Sequence, residues 1–102
     1  MTVFLIVYFY TKHASQYAQS FVIDKATHKA LAFAKVTVWS AKNRMSVAQK
    51  ATSFEGQFTC LVSRGDYYVT IERRNDRGAY ELVYTSRVFA VRDGYIGKRF
   101  EV

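Results

Sequence analysis

Proline is absent from this chain of 102 residues, cysteine and tryptophan occur once each, and only two histidines and five glycines are present. A lone cysteine excludes an intrachain disulfide and any zinc site built from several cysteines. Scattered glycines without proline leave no low-complexity tract or flexible linker. What is present is a chain of one-domain length, 50% hydrophobic and 17% aromatic, which can bury a core without metals or disulfides.

Acidic residues are scarce relative to basic ones: the chain has 8 Asp and Glu but 15 Lys and Arg, which gives a formal net charge of +7. Such a charge permits attraction to nucleic acid, anionic lipid or an acidic partner without selecting among them. The basic residues are spread from Lys12 to Arg99, and the densest run contains Arg73, Arg74 and Arg77. We expect these three at a solvated hairpin end, with a basic contact patch as the alternative.

The long apolar run at the start of the chain is shorter than the ~20 residues that a membrane-spanning helix needs. It lacks a preceding basic segment and a small-x-small cleavage motif, so the pattern does not indicate a signal peptide. Three interpretations stay open: the end of a membrane anchor, a strand buried on both faces, or a strand donated to a neighbouring subunit. The residues concerned are Val3, Phe4, Leu5, Ile6, Val7, Tyr8, Phe9 and Tyr10. We therefore expect an apolar segment over residues 1–15 and a folded domain over residues 16–102.

Short stretches of alternating apolar and polar residues recur along the rest of the chain, whereas no window carries the spacing of an amphipathic helix. In one such stretch Val36 and Val38 alternate with Lys35 and Thr37. Turn signals separate the stretches at regular intervals. We therefore predict an all-β fold, a small antiparallel β-sandwich of seven to nine strands.

Residues 55–71, EGQFTCLVSRGDYYVTI, carry the strongest strand signal. Two alternating runs flank Ser63-Arg64-Gly65, which suits a three-residue hairpin loop with Gly65 at positive φ. We expect the runs to pair as a hairpin, with Phe58 facing Tyr67 across it. Cys60 is interpreted as a small buried hydrophobe and Trp39 as a core or sheet-face anchor. The predicted core comprises Phe58, Cys60, Val62, Tyr67, Val69, Ile71, Val36, Val38 and Trp39, and the predicted turn glycines are Gly56, Gly65 and Gly94.

Residues that could carry chemistry do not cluster in the sequence. His13 and His28 are far apart, and a metal site would need both to converge with a carboxylate such as Asp24. No motif places a nucleophile beside a base. We expect no enzymatic activity, no cofactor and no metal, and we expect His28 to be exposed in a turn.

The order of these features resembles the carboxypeptidase regulatory-like domains, which are small sandwiches of the transthyretin-like type. VIDKATHKALAFAKVTV is similar to the family's opening strands, and FAVRDGYIGKRFEV is similar to its closing pair. The central signature is matched at Thr52, Gly56, Phe58, Gly65, Tyr67, Val69 and Ile71. The resemblance covers residues 20–102, with Ser20 where the family pattern has Gly and Ala30 where it has Pro.

The resemblance implies the sandwich fold, and the expectation of a non-catalytic module comes from the sandwich pattern, the missing catalytic set and the apolar start of the chain. The fold also includes a branch that hydrolyses 5-hydroxyisourate, but that branch ends in Tyr-Arg-Gly-Ser, whereas this chain ends in KRFEV.

Two functional hypotheses follow, and a third is less favoured. The first is a membrane-associated or cell-surface module that binds a protein or a glycan through loops or sheet edges. The second is a self-assembling structural subunit that donates residues 3–10 to a neighbour's sheet. The third is a basic nucleic-acid-binding domain, which is less favoured because the tyrosines fall mostly on strand positions that packing claims. The single cysteine fits a reducing compartment, such as the cytoplasm, and is also compatible with a secreted location.

Overall fold

The computed structural model describes residues 19–102, which form two β-sheets packed face to face. The predicted all-β sandwich is confirmed. Residues 19–102 contain ten strands rather than seven to nine, because Lys29–Ala30 forms a separate two-residue strand and the closing segment is split in two. The strands are β1 (Gln19–Asp24), β2 (Lys29–Ala30), β3 (Lys35–Ser40), β4 (Ser46–Ala51), β5 (Gln57–Leu61), β6 (Gly65–Arg74), β7 (Tyr80–Thr85), β8 (Phe89–Val91), β9 (Tyr95–Ile96) and β10 (Arg99–Glu101).

The first sheet has the order β10-β1-β5-β9, with β2 paired beside β1. The second has the order β4-β3-β6-β7, with β8 paired beside β6. Strands β1 and β10 run parallel, and the other pairs are antiparallel. Parallel neighbours need a long connection, and here the connection is nearly the whole described chain.

Alternate residues of both sheets point into one shared interior. The ring of Phe100 lies near its centre, 6.2 Å from the rings of Phe58 and Phe89 and 6.3 Å from that of Tyr84. Burial of each Val, Ile or Phe side chain stabilises the fold by ~1.5–3 kcal/mol. The buried apolar residues are Val22, Leu31, Ala34, Val36, Val38, Phe58, Cys60, Tyr67, Val69, Ile71, Val91, Ile96 and Phe100.

Strands β5 and β6 do not form the predicted hairpin. Strand β5 pairs with β1 and β9 in the first sheet, whereas β6 pairs with β3, β7 and β8 in the second. Residues 62–64 therefore cross between the sheets. The prediction was wrong because alternation fixes which side chains are buried, and that pattern is the same for a hairpin and for two facing strands.

Two details of the predicted hairpin fail for the same reason. Phe58 stacks on Phe100 of its own sheet, with ring planes 21° apart, and does not pair across a hairpin with Tyr67. Gly65 is the first residue of β6 and pairs with Val91, so it is a strand residue rather than a turn glycine. Gly56 and Gly94 do adopt the left-handed conformation in turns, with φ of 73° and 82°.

Two buried hydroxyls join segments that are distant in the chain. Thr52 Oγ1 accepts a hydrogen bond from the Ala34 N–H at 2.8 Å and donates one to the Leu31 carbonyl at 2.7 Å. Ser20 Oγ donates to the Ile96 carbonyl at 2.7 Å and accepts from the Lys98 N–H at 3.1 Å. Thr52 satisfies two backbone groups that lie outside the strands, and neither buried hydroxyl is left without a partner.

Residues 3–10, for which we considered an anchor, a buried strand or a donated strand, lie outside the described residues. The first described strand begins at Gln19, which pairs with Thr59 of β5.

Candidate binding face

The structure places most of the predicted core residues at the interface between the sheets. Phe58, Cys60, Tyr67, Val69, Ile71, Val36 and Val38 are buried there, and Val62 is partly buried against them.

Trp39 lies on the opposite side of its sheet, so the prediction that it belongs to the core is corrected. It shares the parity of Lys35 and Thr37 in β3, which point away from the interior. A register shift in the pairing with β4 falls between Val38 and Trp39.

The outer face of the second sheet carries an aromatic pair. Trp39 and Tyr68 are directly opposite one another on β3 and β6. Their ring planes lie within 8° of parallel and their centroids are 6.2 Å apart, so the rings are offset. The indole Nε1–H donates to Thr70 Oγ1 at 2.8 Å, which fixes the orientation of the Trp39 ring while leaving it partly exposed.

A row of hydroxyl and amide groups crosses the sheet beside this pair. Gln49, Thr37, Thr70 and Thr85 are successive partners in the strand pairing of β4, β3, β6 and β7. Gln49 Nε2 donates to Thr37 Oγ1 at 3.3 Å. Thr37 is buried at 7% exposure and serves to hold Gln49, whereas Gln49, Thr70 and Thr85 carry the polar groups that solvent or a ligand can reach.

A charged row lies next to the polar one. Lys35 Nζ and a Glu72 carboxylate oxygen are 3.4 Å apart, and the same ammonium sits 5.5 Å from the centroid of the Tyr80 ring. This half-exposed pair contributes little stability, because solvent screens it, but it fixes two charged groups at the surface. Leu82, directly opposite Glu72, adds an apolar side chain that is 60% exposed to the same side of the sheet. We name the whole surface the Trp39 face, formed by Lys35, Thr37, Trp39, Gln49, Tyr68, Thr70, Glu72, Tyr80, Leu82 and Thr85.

The residues considered for chemistry are not brought together. His28 is exposed in the turn after β1, and its backbone N–H donates to the Asp24 backbone carbonyl at 2.7 Å. The Asp24 carboxylate is engaged by the Ala26 N–H at 3.0 Å and by Arg73 at 3.4 Å. Within residues 19–102, no three His, Cys, Asp or Glu side chains converge as a metal site would require. His13 lies outside the described residues.

Cys60 is buried in the core, where its thiol packs as an apolar group. Burial raises the pKa of this thiol above its ordinary value of 9.0, and the nearby Lys50 ammonium acts in the opposite direction. Because the thiolate is the reactive form, this environment is the reverse of the one that activates a cysteine.

The three arginines lie exposed at the hairpin end between β6 and β7, where we expected them, and as the alternative basic contact patch they are divided. Arg73 contacts Asp24 of the other sheet, whereas Arg74 Nε donates to the Gly78 carbonyl at 3.2 Å. Arg77 is exposed at the tip of the turn. Asp76 and Glu81 share this surface with the arginines and reduce its positive charge.

Sequence reasoning missed Tyr68 and Thr70. The signal was present, because both alternate with the buried residues of β6 and must therefore point outwards. What could not be read from the sequence was that β6 lies beside β3, which brings Tyr68 to Trp39.

Comparison of the chain with protein-family models and with curated proteins gave no match. The described part of the chain also contains no helix with the length and hydropathy that crossing a bilayer demands.

Proposed function

We propose that this chain is a non-catalytic β-sandwich module, associated with a membrane or cell surface, that binds a glycan through the Trp39 face. The observation that carries the proposal is the stacked Trp39–Tyr68 pair beside rows of polar and charged groups. We also propose that the module is related to the transthyretin-like, carboxypeptidase regulatory-like sandwiches, on the basis of the motifs given above.

The chemistry of the Trp39 face matches that of a sugar chain. The C–H faces of sugar rings pack on aromatic rings, and sugar hydroxyls exchange hydrogen bonds with hydroxyl, amide and carboxylate groups. Trp39 and Tyr68 supply the rings, and the adjacent row that includes Gln49 and Thr85 supplies the polar partners. The Thr70 contact fixes the indole before ligand arrives, which reduces the entropy lost on binding.

A glycan is favoured over a protein partner by the order of groups across this face. Protein interfaces have an apolar centre depleted of charged residues and a polar rim. Here the hydroxyl and amide row lies directly beside the aromatic pair, and the Lys35–Glu72 pair follows in the next row.

The proposal is tested by measuring the affinity of the full chain for a panel of neutral polysaccharides. Trp39→Ala and Tyr68→Ala should each weaken binding by at least about tenfold, corresponding to ~1.4 kcal/mol. Phe54→Ala is the matched control, since it removes a loop aromatic that is 79% exposed and lies outside the Trp39 face. Its affinity should equal that of the wild type.

Trp39→Phe keeps a ring and reports whether loss of binding reflects loss of fold. It should retain most of the affinity and the β-sheet circular dichroism spectrum. Undiminished binding by Trp39→Ala, or no binding by the wild type to any glycan of the panel, would contradict the proposal. If the chain binds no glycan but captures a protein, and if this capture is lost in Trp39→Ala, the ligand of the Trp39 face is a protein and not a glycan.

The self-assembling subunit remains the second candidate, and the edge of the second sheet favours it. Among the described residues, β7 pairs with β6 alone, and Leu82 and Val83 on it are 60% and 43% exposed. An exposed edge with apolar side chains is suited to accept an added strand. The proposed donor is residues 3–10 of a neighbouring copy.

Deleting residues 1–15 separates the two candidates. If the glycan module is correct, the shortened chain stays monomeric in sedimentation and binds the glycan as before. If the subunit is correct, the full chain forms oligomers and the deletion abolishes them.

A further inference from the structure

Basic side chains gather at the end of the sandwich where β3 ends and β6 begins. Lys42 and Arg44 lie in the connection after β3, Arg64 precedes β6, and Arg92 follows β8. Because Gly65 pairs with Val91, Arg64 and Arg92 leave the sheet side by side. None of these four cations forms an ion pair within residues 19–102. We name this surface the basic end, formed by Lys42, Arg44, Arg64 and Arg92.

Two clefts open at the basic end. The larger, of about 510 Å³, is lined by Lys42 and Arg64 together with Asp66, Tyr67 and Val88. Val88 is a 59% exposed apolar side chain in the lining of this cleft. The smaller cleft, of about 280 Å³, includes Arg92, Asp93 and Lys98 in its lining. Asp66 and Asp93 are outnumbered by the basic residues around these clefts, so this end carries an excess of positive charge.

The opposite end of the sandwich carries no comparable excess. There Arg73 is paired with Asp24 at 3.4 Å. The turns at that end contain the acidic residues Glu55 and Asp76 as well as the basic residues Lys25 and Arg77. Charge is therefore distributed unevenly between the two ends of the described domain.

The described chain also begins at the basic end. Gln19 pairs with Thr59, two residues before β5 ends at Leu61 and the chain crosses to Arg64. The chain before Gln19 therefore joins the described domain at the basic end.

We propose that the basic end faces an anionic lipid bilayer, with Lys42 and Arg64 contacting the headgroups. The inference rests on the membrane association in the proposed function and adds its orientation and its lipid class. A short apolar segment alone binds a bilayer weakly, and a second, basic signal makes the association stable. Each Lys or Arg near an anionic surface strengthens binding about fivefold. The Trp39 face is the outer side of the second sheet and not its end, and its Trp39–Tyr68 pair borders the basic end.

The test is sedimentation of the full chain with vesicles of phosphatidylcholine, with and without phosphatidylserine. Lys42→Glu combined with Arg64→Glu should weaken binding to the anionic vesicles by at least about tenfold, since two attractive charges become repulsive. Lys25→Glu combined with Arg77→Glu is the matched control, with the same charge change at exposed residues of the opposite end. It should bind nearly as well as the wild type. Added salt should weaken wild-type binding.

The outcomes separate this inference from the proposed membrane association. If wild type and the Lys42/Arg64 variant bind both kinds of vesicle equally, membrane association stands and the basic end is not the contact. If no vesicle is bound, both proposals fail. Equal losses in the two double variants would assign the effect to net charge and overturn the inference. Binding of single-stranded polynucleotide that depends on Lys42 and Arg64, without vesicle binding, would replace the lipid by nucleic acid.

Discussion

At Gly56 the turn before β5 runs so close to β1 that a side chain has no room. The backbone has φ of 73°, and a Cβ atom would lie 2.7 Å from the Val22 carbonyl oxygen. Gly94 has nearly the same conformation, with φ of 82°, but its nearest neighbour, the Val62 carbonyl oxygen, would be 3.9 Å from a Cβ. A side chain at Gly94 would meet backbone strain alone, whereas one at Gly56 would meet both strain and steric overlap.

Replacing each glycine by alanine should destabilise the domain to different degrees. Gly94→Ala should lower the free energy of unfolding by about 1 kcal/mol through conformational strain alone. Gly56→Ala should lower it by about 3 kcal/mol, because overlap with the backbone of β1 is added to the strain. Urea unfolding measures both values, and equal losses would show that the close approach to Val22 is incorrect.

Thr52 is a second residue whose role is set by its contacts. Thr52→Val keeps its shape but leaves the Ala34 N–H and the Leu31 carbonyl buried without a partner. The free energy of unfolding should fall by about 3 kcal/mol, since each orphaned group costs about 1–3 kcal/mol. Thr85→Val, at an exposed position of β7, is the control and should change stability by less than about 0.5 kcal/mol. A loss below 1 kcal/mol for Thr52→Val, about the size of an ordinary surface change, would contradict the two hydrogen bonds.

Cys60 should make stability depend on pH. The folded thiol keeps its proton because burial raises its pKa, whereas the unfolded thiol ionises near 9.0. The unfolded state therefore loses a proton first as pH rises, which favours unfolding. The contribution of Cys60 to the free energy of unfolding is fully present below pH 9.0, and it declines as the pH rises above that value. The difference in free energy of unfolding between wild type and Cys60→Ala should therefore shrink as the pH rises above 9.0. A difference that stays constant with pH would contradict the raised pKa of the folded thiol.

At the scale of elements, strands β5 and β6 belong to different sheets that share one interior. Val69 of β6 is fully buried in that interior, whereas Leu61 at the end of β5 is 71% exposed. Val69→Asn should reduce the free energy of unfolding by about 3 kcal/mol, because it buries an unpaired amide. Leu61→Asn should leave it nearly unchanged. Thermal unfolding followed by circular dichroism compares the two, and similar melting temperatures would refute the assignment of interior and exterior.

The alternation of residue types was sufficient to predict the class of fold and the inward faces of β3, β5 and β6. It was not sufficient for strand partners, because the same pattern serves a hairpin and a crossing between sheets. The pairing of β1 with β10 depends on contacts such as that of Ser20 with residues 96 and 98, which no local pattern contains. For the candidate site, parity placed Trp39 beside Lys35 and Thr37, but only the strand order brings Tyr68 next to it.

At the scale of the whole molecule, different functions are assigned to different surfaces of one rigid sandwich. The interior is occupied by packing side chains, so the buried thiol and hydroxyls serve stability. The Trp39 face, on the outer side of one sheet, is the proposed glycan site. The basic end, where Gln19 begins the described domain, is the proposed membrane contact. The two proposed contacts use separate residues, so each can be removed without the other.

Trp39 is the single tryptophan of the chain, so its fluorescence reports directly on the proposed glycan site. The decisive measurement is acrylamide quenching of this fluorescence in the full chain, with and without a polysaccharide that it binds. Our account predicts that bound glycan shields the indole and lowers the quenching constant. Binding of the polysaccharide with unchanged quenching would place the ligand elsewhere and contradict the account.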